Sequence, residues 1–105
     1  MSVQHIVLFK YVPEMSAADE AEMLAQIRAF PGRIGRIGEL RVGRAASDGR
    51  AEGYSHLMYM TVADEAALEA YQRHPFHEAF AAWVRAHGGS VLAFDYVLDV
   101  ATVVL

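Results

Sequence analysis

Residues 3–12, VQHIVLFKYV, alternate one set of side chains (Val3, His5, Val7, Phe9, Tyr11) with another (Gln4, Ile6, Leu8, Lys10, Val12). A period of two is the signature of a β-strand. Both sets are largely apolar, so the strand must be covered twice, by helices on one face and by a further layer, such as another subunit, on the other. Pro13, which has no N–H for a sheet ladder, ends it.

The rest of the chain supplies the covering layers. Ser16 followed by Asp19 reads as a helix start, and Met23, Leu24, Ile27 and Phe30 then recur at helical spacing until Pro31-Gly32. A first helix is expected over 16–30. GRIGRIGELRVGR reads as a turn entering a second strand over 37–44, and the loop AASDGRAEG leads to a third over 54–62. In that third strand His56 shares a face with Met58, Met60 and Val62. Asp64 is a good N-cap for a second helix in which Glu69 can pair with Arg73. Pro75 interrupts this helix: the residue before a proline avoids the α region, so the helix breaks at His74 and restarts with Pro75 in its first position. Phe76, Phe80, Trp83 and Val84 form the apolar stripe of the restarted piece, which ends at Gly88-Gly89. A fourth strand over 91–100 and an apolar tail, ATVVL, follow. The order β-α-β-β-α-β is a split βαβ: an α+β, ferredoxin-like domain over 1–105, with an antiparallel four-stranded sheet carrying its helices on one face and strands one and three central.

Composition narrows the function. The chain has 105 residues, 54% hydrophobic and 21% charged, more apolar surface than a monomer of this size hides, which favours an oligomer. There is no cysteine, which excludes thiolate metal sites and cysteine nucleophiles and suits a reducing compartment. A formal charge of -4 argues against sequence-independent nucleic-acid binding. MSVQHIVLFK lacks the features of a signal peptide, and no apolar run approaches the roughly 20 residues that span a bilayer. A soluble cytoplasmic protein with neither nucleic acid nor membrane as partner is expected. Six of the nine Lys and Arg residues fall between Arg28 and Arg50, a segment read as a solvated face.

Four of the five histidines converge on this topology: His5 and His56 from the central strands, and His74 and His77 from the helix break. Tyr71 overhangs the same region from one turn earlier. In the first turn of the restarted helix, unsatisfied N–H groups and the macrodipole disfavour an imidazolium, so His77 is expected to stay neutral. A neutral imidazole accepts a proton, and a tyrosine hydroxyl stabilises a carbonyl oxygen gaining charge. Together they can abstract a proton next to a carbonyl. Taken singly, His5 and His56 read better as satisfied core residues, and His74 and His77 read equally well as a capping residue and a residue bonded across a packed layer. Metal binding by the imidazoles is the rival chemistry, but no HExxH spacing is present and Glu78 points about 100° away from His77. No metal and no cofactor is therefore expected.

HIVLFKY, YSHLMYMTVADEAALEAYQRHPFHEAF and VLAFDYVLD resemble the Dabb family, the stress-responsive dimeric α/β-barrel domain. The resemblance spans nearly the whole chain and implies a homodimer with sheets face to face, the ATVVL tail reaching the partner. One plant branch of the family consists of polyketide cyclases resembling olivetolic acid cyclase, which perform an intramolecular aldol condensation of a linear polyketide thioester without cofactor or metal. Matched to that branch, the base falls on His77, its tyrosine partner on Tyr71, and supporting substrate-binding histidines on His5, His56 and His74. A pocket tyrosine that the branch carries on helix one has no counterpart here. The resemblance thus implies a cofactor-free cyclase or lyase acting on a small apolar, carbonyl-containing ligand. The other readings are a non-enzymatic stress-associated dimer that binds a small apolar ligand, and a monooxygenase of the related barrel superfamily in which Trp83 and a histidine contact haem or an aromatic substrate.

Overall fold

The computed structural model describes residues 2–47 and 49–98. Strand β1 (Val3–Tyr11) is followed by helix α1 (Ala17–Arg33), β2 (Ile37–Arg44), β3 (Tyr54–Val62), α2 (Glu65–Arg73), α3 (Pro75–Ala86) and β4 (Gly89–Val97). The four strands form one antiparallel sheet in the order β2-β3-β1-β4. This is the ferredoxin-like βαββαβ arrangement expected from the order of elements along the sequence.

Side-chain chemistry sets each boundary. The Ser16 hydroxyl accepts from the Asp19 N–H at 3.1 Å and starts α1. The expected stop at Pro31 does not occur: the Phe30 and Pro31 carbonyls accept from Ile34 and Gly35 at 2.8 and 3.1 Å, and the chain turns at Gly35, φ +77°. Asp64 caps α2 by accepting from the Ala67 N–H at 2.8 Å. Asp64→Ala is expected to lower stability by about 1 kcal/mol, read as a shift of the urea midpoint without a change of slope. His74, with φ -64° and ψ 135°, is extended as a residue before proline must be, and Pro75 opens α3. Gly88 ends α3 at φ +75°, where an added Cβ would stand 2.3 Å from the Val12 carbonyl oxygen. That close approach ties the end of β1 to the start of β4, since the Val12 N–H donates to the Gly88 carbonyl at 3.1 Å. Strand β4 begins two residues earlier than expected, and its expected end at 99–100, like the ATVVL tail, lies outside the described residues.

The two faces of β1 have different fates. Val3, His5, Val7, Phe9 and Tyr11 are buried under the helices, where they meet Met58 and Met60 of β3 and Met23, Ile27 and Phe30 of α1. Phe30 is the hub of this core, with its ring edge-to-face against Tyr71, Phe76 and Phe80 at 5.6, 5.8 and 5.2 Å. On the other face Leu57, Leu92, Phe94 and Tyr96 are exposed, Phe94 at 64%. Gln4 on that face is buried because its amide is satisfied on both sides, accepting from the Tyr59 hydroxyl and donating to Ser2 Oγ at 2.8 Å.

Candidate functional site

The helix break builds the site. In an unbroken helix the Tyr71 and Gln72 carbonyls would accept from residues 75 and 76. Pro75 has no N–H, and the Phe76 N–H donates instead to His74 Nδ1 at 3.1 Å. The Gln72 carbonyl is thereby released, and His77 Nδ1–H donates to it at 3.1 Å. This bond assigns the proton to Nδ1 and leaves Nε2 as the basic nitrogen. His77 is half-buried, and burial pushes its pKa below the ordinary histidine value; nearby His5 acts in the same direction, and the Gln72 bond opposes. The imidazole is thus biased towards its neutral, proton-accepting form, with burial as the leading cause.

Tyr71, from the last turn of α2, is 2% exposed, and its ring lies 4.5 Å from that of His77 and 5.7 Å from that of His5, centroid to centroid. Burial raises its pKa, so it remains a phenol and a hydrogen-bond donor. Among the described residues its hydroxyl has no protein partner. His5 is 4% exposed and is held by Asp95, directly across the ladder on β4, whose carboxylate accepts from Nδ1–H. His5, Tyr71 and His77 line one cavity of ≈ 450 Å³, walled mainly by Val7, Phe9, Met58, Phe80 and Val84. Two weak acid–base groups and an oriented imidazole thus face a largely apolar hollow, which suits a carbonyl compound with a hydrocarbon body.

Two expected members stand elsewhere. His56 does face the helices, but the antiparallel register pairs it with Phe9, four residues along β1 from His5, a separation of about 13 Å. A bulge beside that pair leaves Ser55 unmatched and lets its hydroxyl donate to His56 Nδ1 at 2.7 Å. His56 Nε2–H then donates to Glu20 of α1 at 2.8 Å. The Arg44 guanidinium, also bonded to Glu20, holds that carboxyl below the usual carboxylate range. This cluster lines a separate cavity of ≈ 510 Å³. His74 caps α3 and does not line the His77 cavity; its contribution is to engage the Phe76 N–H and so free the Gln72 carbonyl. Trp83 is also outside that lining, stacked on His87 with centroids 4.0 Å apart. Of the basic segment, Arg44 and Arg41 are paired with Glu20 and Glu39, and Arg33 lies over the Phe76 ring. Among the described residues no group of three or more potential metal ligands gathers, and no helix is long and apolar enough to cross a membrane.

Asp95 is the site residue that sequence reasoning missed. Its signal was present, because the alternation of β4 puts residues 91, 93 and 95 on the helix-facing side beside β1. The Gln72 carbonyl, a backbone atom freed by a capping event, had no side-chain signal at all.

Known proteins agree with this architecture. The family profile described as Stress responsive A/B Barrel Domain matches residues 3–98. The chain is 25% identical over 97 residues to olivetolic acid cyclase of Cannabis sativa, covering 91% of this chain and 96% of that protein. Among solved structures it resembles the hydroxynitrile lyase of Passiflora edulis, with a TM-score of 0.84 at 18% identity over 96% of each chain. It also resembles a dimeric ferredoxin-like protein of unknown function from Thermobifida fusca, with a TM-score of 0.79 at 21% identity over 93% and 92% of the two chains. With a core of histidine-bearing central strands and a proline-broken second helix, the chain belongs to the Dabb family of stress-responsive A/B barrel domains.

Proposed function

We propose that this protein is a homodimeric enzyme of the lyase or cyclase type that abstracts a proton from carbon next to a carbonyl, with no group required beyond its own side chains. The observation that carries the reading is the pairing of Tyr71 with His77, rings 4.5 Å apart in one cavity, with Nδ1 of His77 committed to a backbone carbonyl. His77 Nε2 takes the α-proton, and the electrons of the C–H bond move to the carbonyl oxygen. The Tyr71 hydroxyl donates to that oxygen as it becomes an enolate. His5, oriented by Asp95, supplies a second polar contact. The enolate carbon then attacks a second carbonyl, as in an aldol closure, and the imidazolium of His77 returns its proton to the new alkoxide. The relationship to a cyclase supports this class of chemistry. His56 and His74 serve it indirectly, the first by tying α1 to the sheet and the second by freeing the Gln72 carbonyl.

The test is deuterium incorporation from D₂O into an alkyl 1,3-diketone, followed by NMR. Wild-type protein should accelerate exchange, and Tyr71→Phe should retain the fold while losing most of the acceleration. Exchange no faster than in buffer would remove the catalytic reading and leave a binding protein.

The exposed apolar face of the sheet supports dimerisation through Leu57, Leu92, Phe94 and Tyr96. Phe94→Asp would place an unpaired charge in that contact, at a penalty of several kcal/mol. It is expected to convert a dimer to a monomer by light scattering; an unchanged mass would show that this face is not the interface.

A further inference from the structure

The cavity that holds His77 is asymmetric in charge. Arg85, about one turn beyond Ala81 on α3, lines it, and among the described residues no aspartate or glutamate lines it. Arg85 is exposed and has no ion-pair partner among the described residues. The opposite side is acidic: an adjoining open groove that shares Gln72 with the cavity carries Glu65 and the His5-bonded Asp95, while its Arg73 and Glu69 pair with each other at 2.7 Å. Arg85 lies eight positions beyond His77 on α3, a rise of about 12 Å along the helix axis.

From this juxtaposition we infer that the ligand is an amphipathic anion, with its carbonyl at His77 and Tyr71, an apolar body in the cavity, and its negative group against Arg85. A free cation at one end and carboxylates at the other leave an anionic ligand a single favourable orientation, because the reverse one brings like charges together. The fixed fork of a guanidinium suits two anionic oxygens, and both a carboxylate and a phosphate present them. This deepens the proposed function and rests on the same cavity being the substrate site.

The probes are decanol, decanoate and decyl phosphate, each displacing the neutral dye 1-aminoanthracene from the full-length protein at pH 8. Wild-type protein should bind the better of the two anions about tenfold more tightly than decanol. Whichever anion is preferred names the source of the negative group. Arg85→Glu should abolish the preference while leaving decanol affinity unchanged, and Arg85→Lys should retain part of it. Equal affinity for all three probes, or a preference that survives Arg85→Glu, would overturn the inference. The two readings fail separately: absent diketone exchange with an intact Arg85-dependent preference removes only the catalysis, and intact exchange without the preference removes only the anion site.

Discussion

His77→Ala is expected to slow α-proton exchange about 10²- to 10⁴-fold, the range of a positioned general base, with the fold retained. Retention is expected because His77 is half-buried at the cavity wall and the surrounding apolar core, centred on Phe30, does not depend on it. The pH profile makes the assignment specific. A base works only when deprotonated, so kcat/KM should be level above the ordinary histidine range and fall as pH drops through the His77 pKa. Burial lowers that pKa, so the fall should begin at more acidic pH than for a solvent-exposed histidine. Stability follows with the same sign. A group whose folded pKa is depressed gives stability that is fully present above its unfolded value and is lost as pH falls through the folded one. Wild-type protein should therefore lose stability relative to His77→Ala as the pH is lowered below about 6.5. An activity profile unchanged by the substitution would assign the base to another residue, and His5, already committed through Nδ1 to Asp95, would be the next to test.

The fold and half of the site were written into local pattern. Two-sided apolar alternation in β1, Asp64 as a cap and the His74-Pro75 break all act within a few residues, so periodicity and backbone sterics suffice to read them. The same locality brought Tyr71 and His77 together, because both flank one break. His56 shows where face and position part company. Alternation fixes which face of a strand a residue occupies, but the position along it depends on pairing. His5 and His56 are each the third residue of their strands, and antiparallel pairing sends them to opposite ends. Asp95 is the converse case, a residue whose partnership with His5 depends on β4 register set nearly the whole chain away. The early end expected for α1 has a further cause: Pro31 removes one donor, yet the following carbonyl bonds to Ile34 and Gly35 and the burial of Phe30 favour completing the last turn.

Phe30→Ala should produce the largest loss of stability, about 3–5 kcal/mol. Phe30 is fully buried at 0% exposure, and three aromatic rings meet it edge-to-face, one from α2 and two from α3. Truncation removes the transfer energy of a phenyl ring and leaves a hole that rigid aromatic neighbours cannot close. At about 4–8 °C per kcal/mol for a domain near this size, the melting temperature should drop by roughly 12–40 °C. A loss below about 1 kcal/mol would mean that the core repacks freely around the gap, contrary to the packing described. Phe30→Leu separates the two services of the ring. It refills most of the volume and should recover much of the stability, but it offers no aromatic ring to Tyr71, which packs edge-to-face on Phe30 and lies beside His77. Exchange activity should therefore stay well below wild type after stability has largely returned, because an aromatic donor displaced by even 1 Å no longer meets the enolate oxygen at hydrogen-bond distance. Full recovery of both would show that Tyr71 is held by α2 alone, and the aromatic cluster would then be packing without a share in the chemistry.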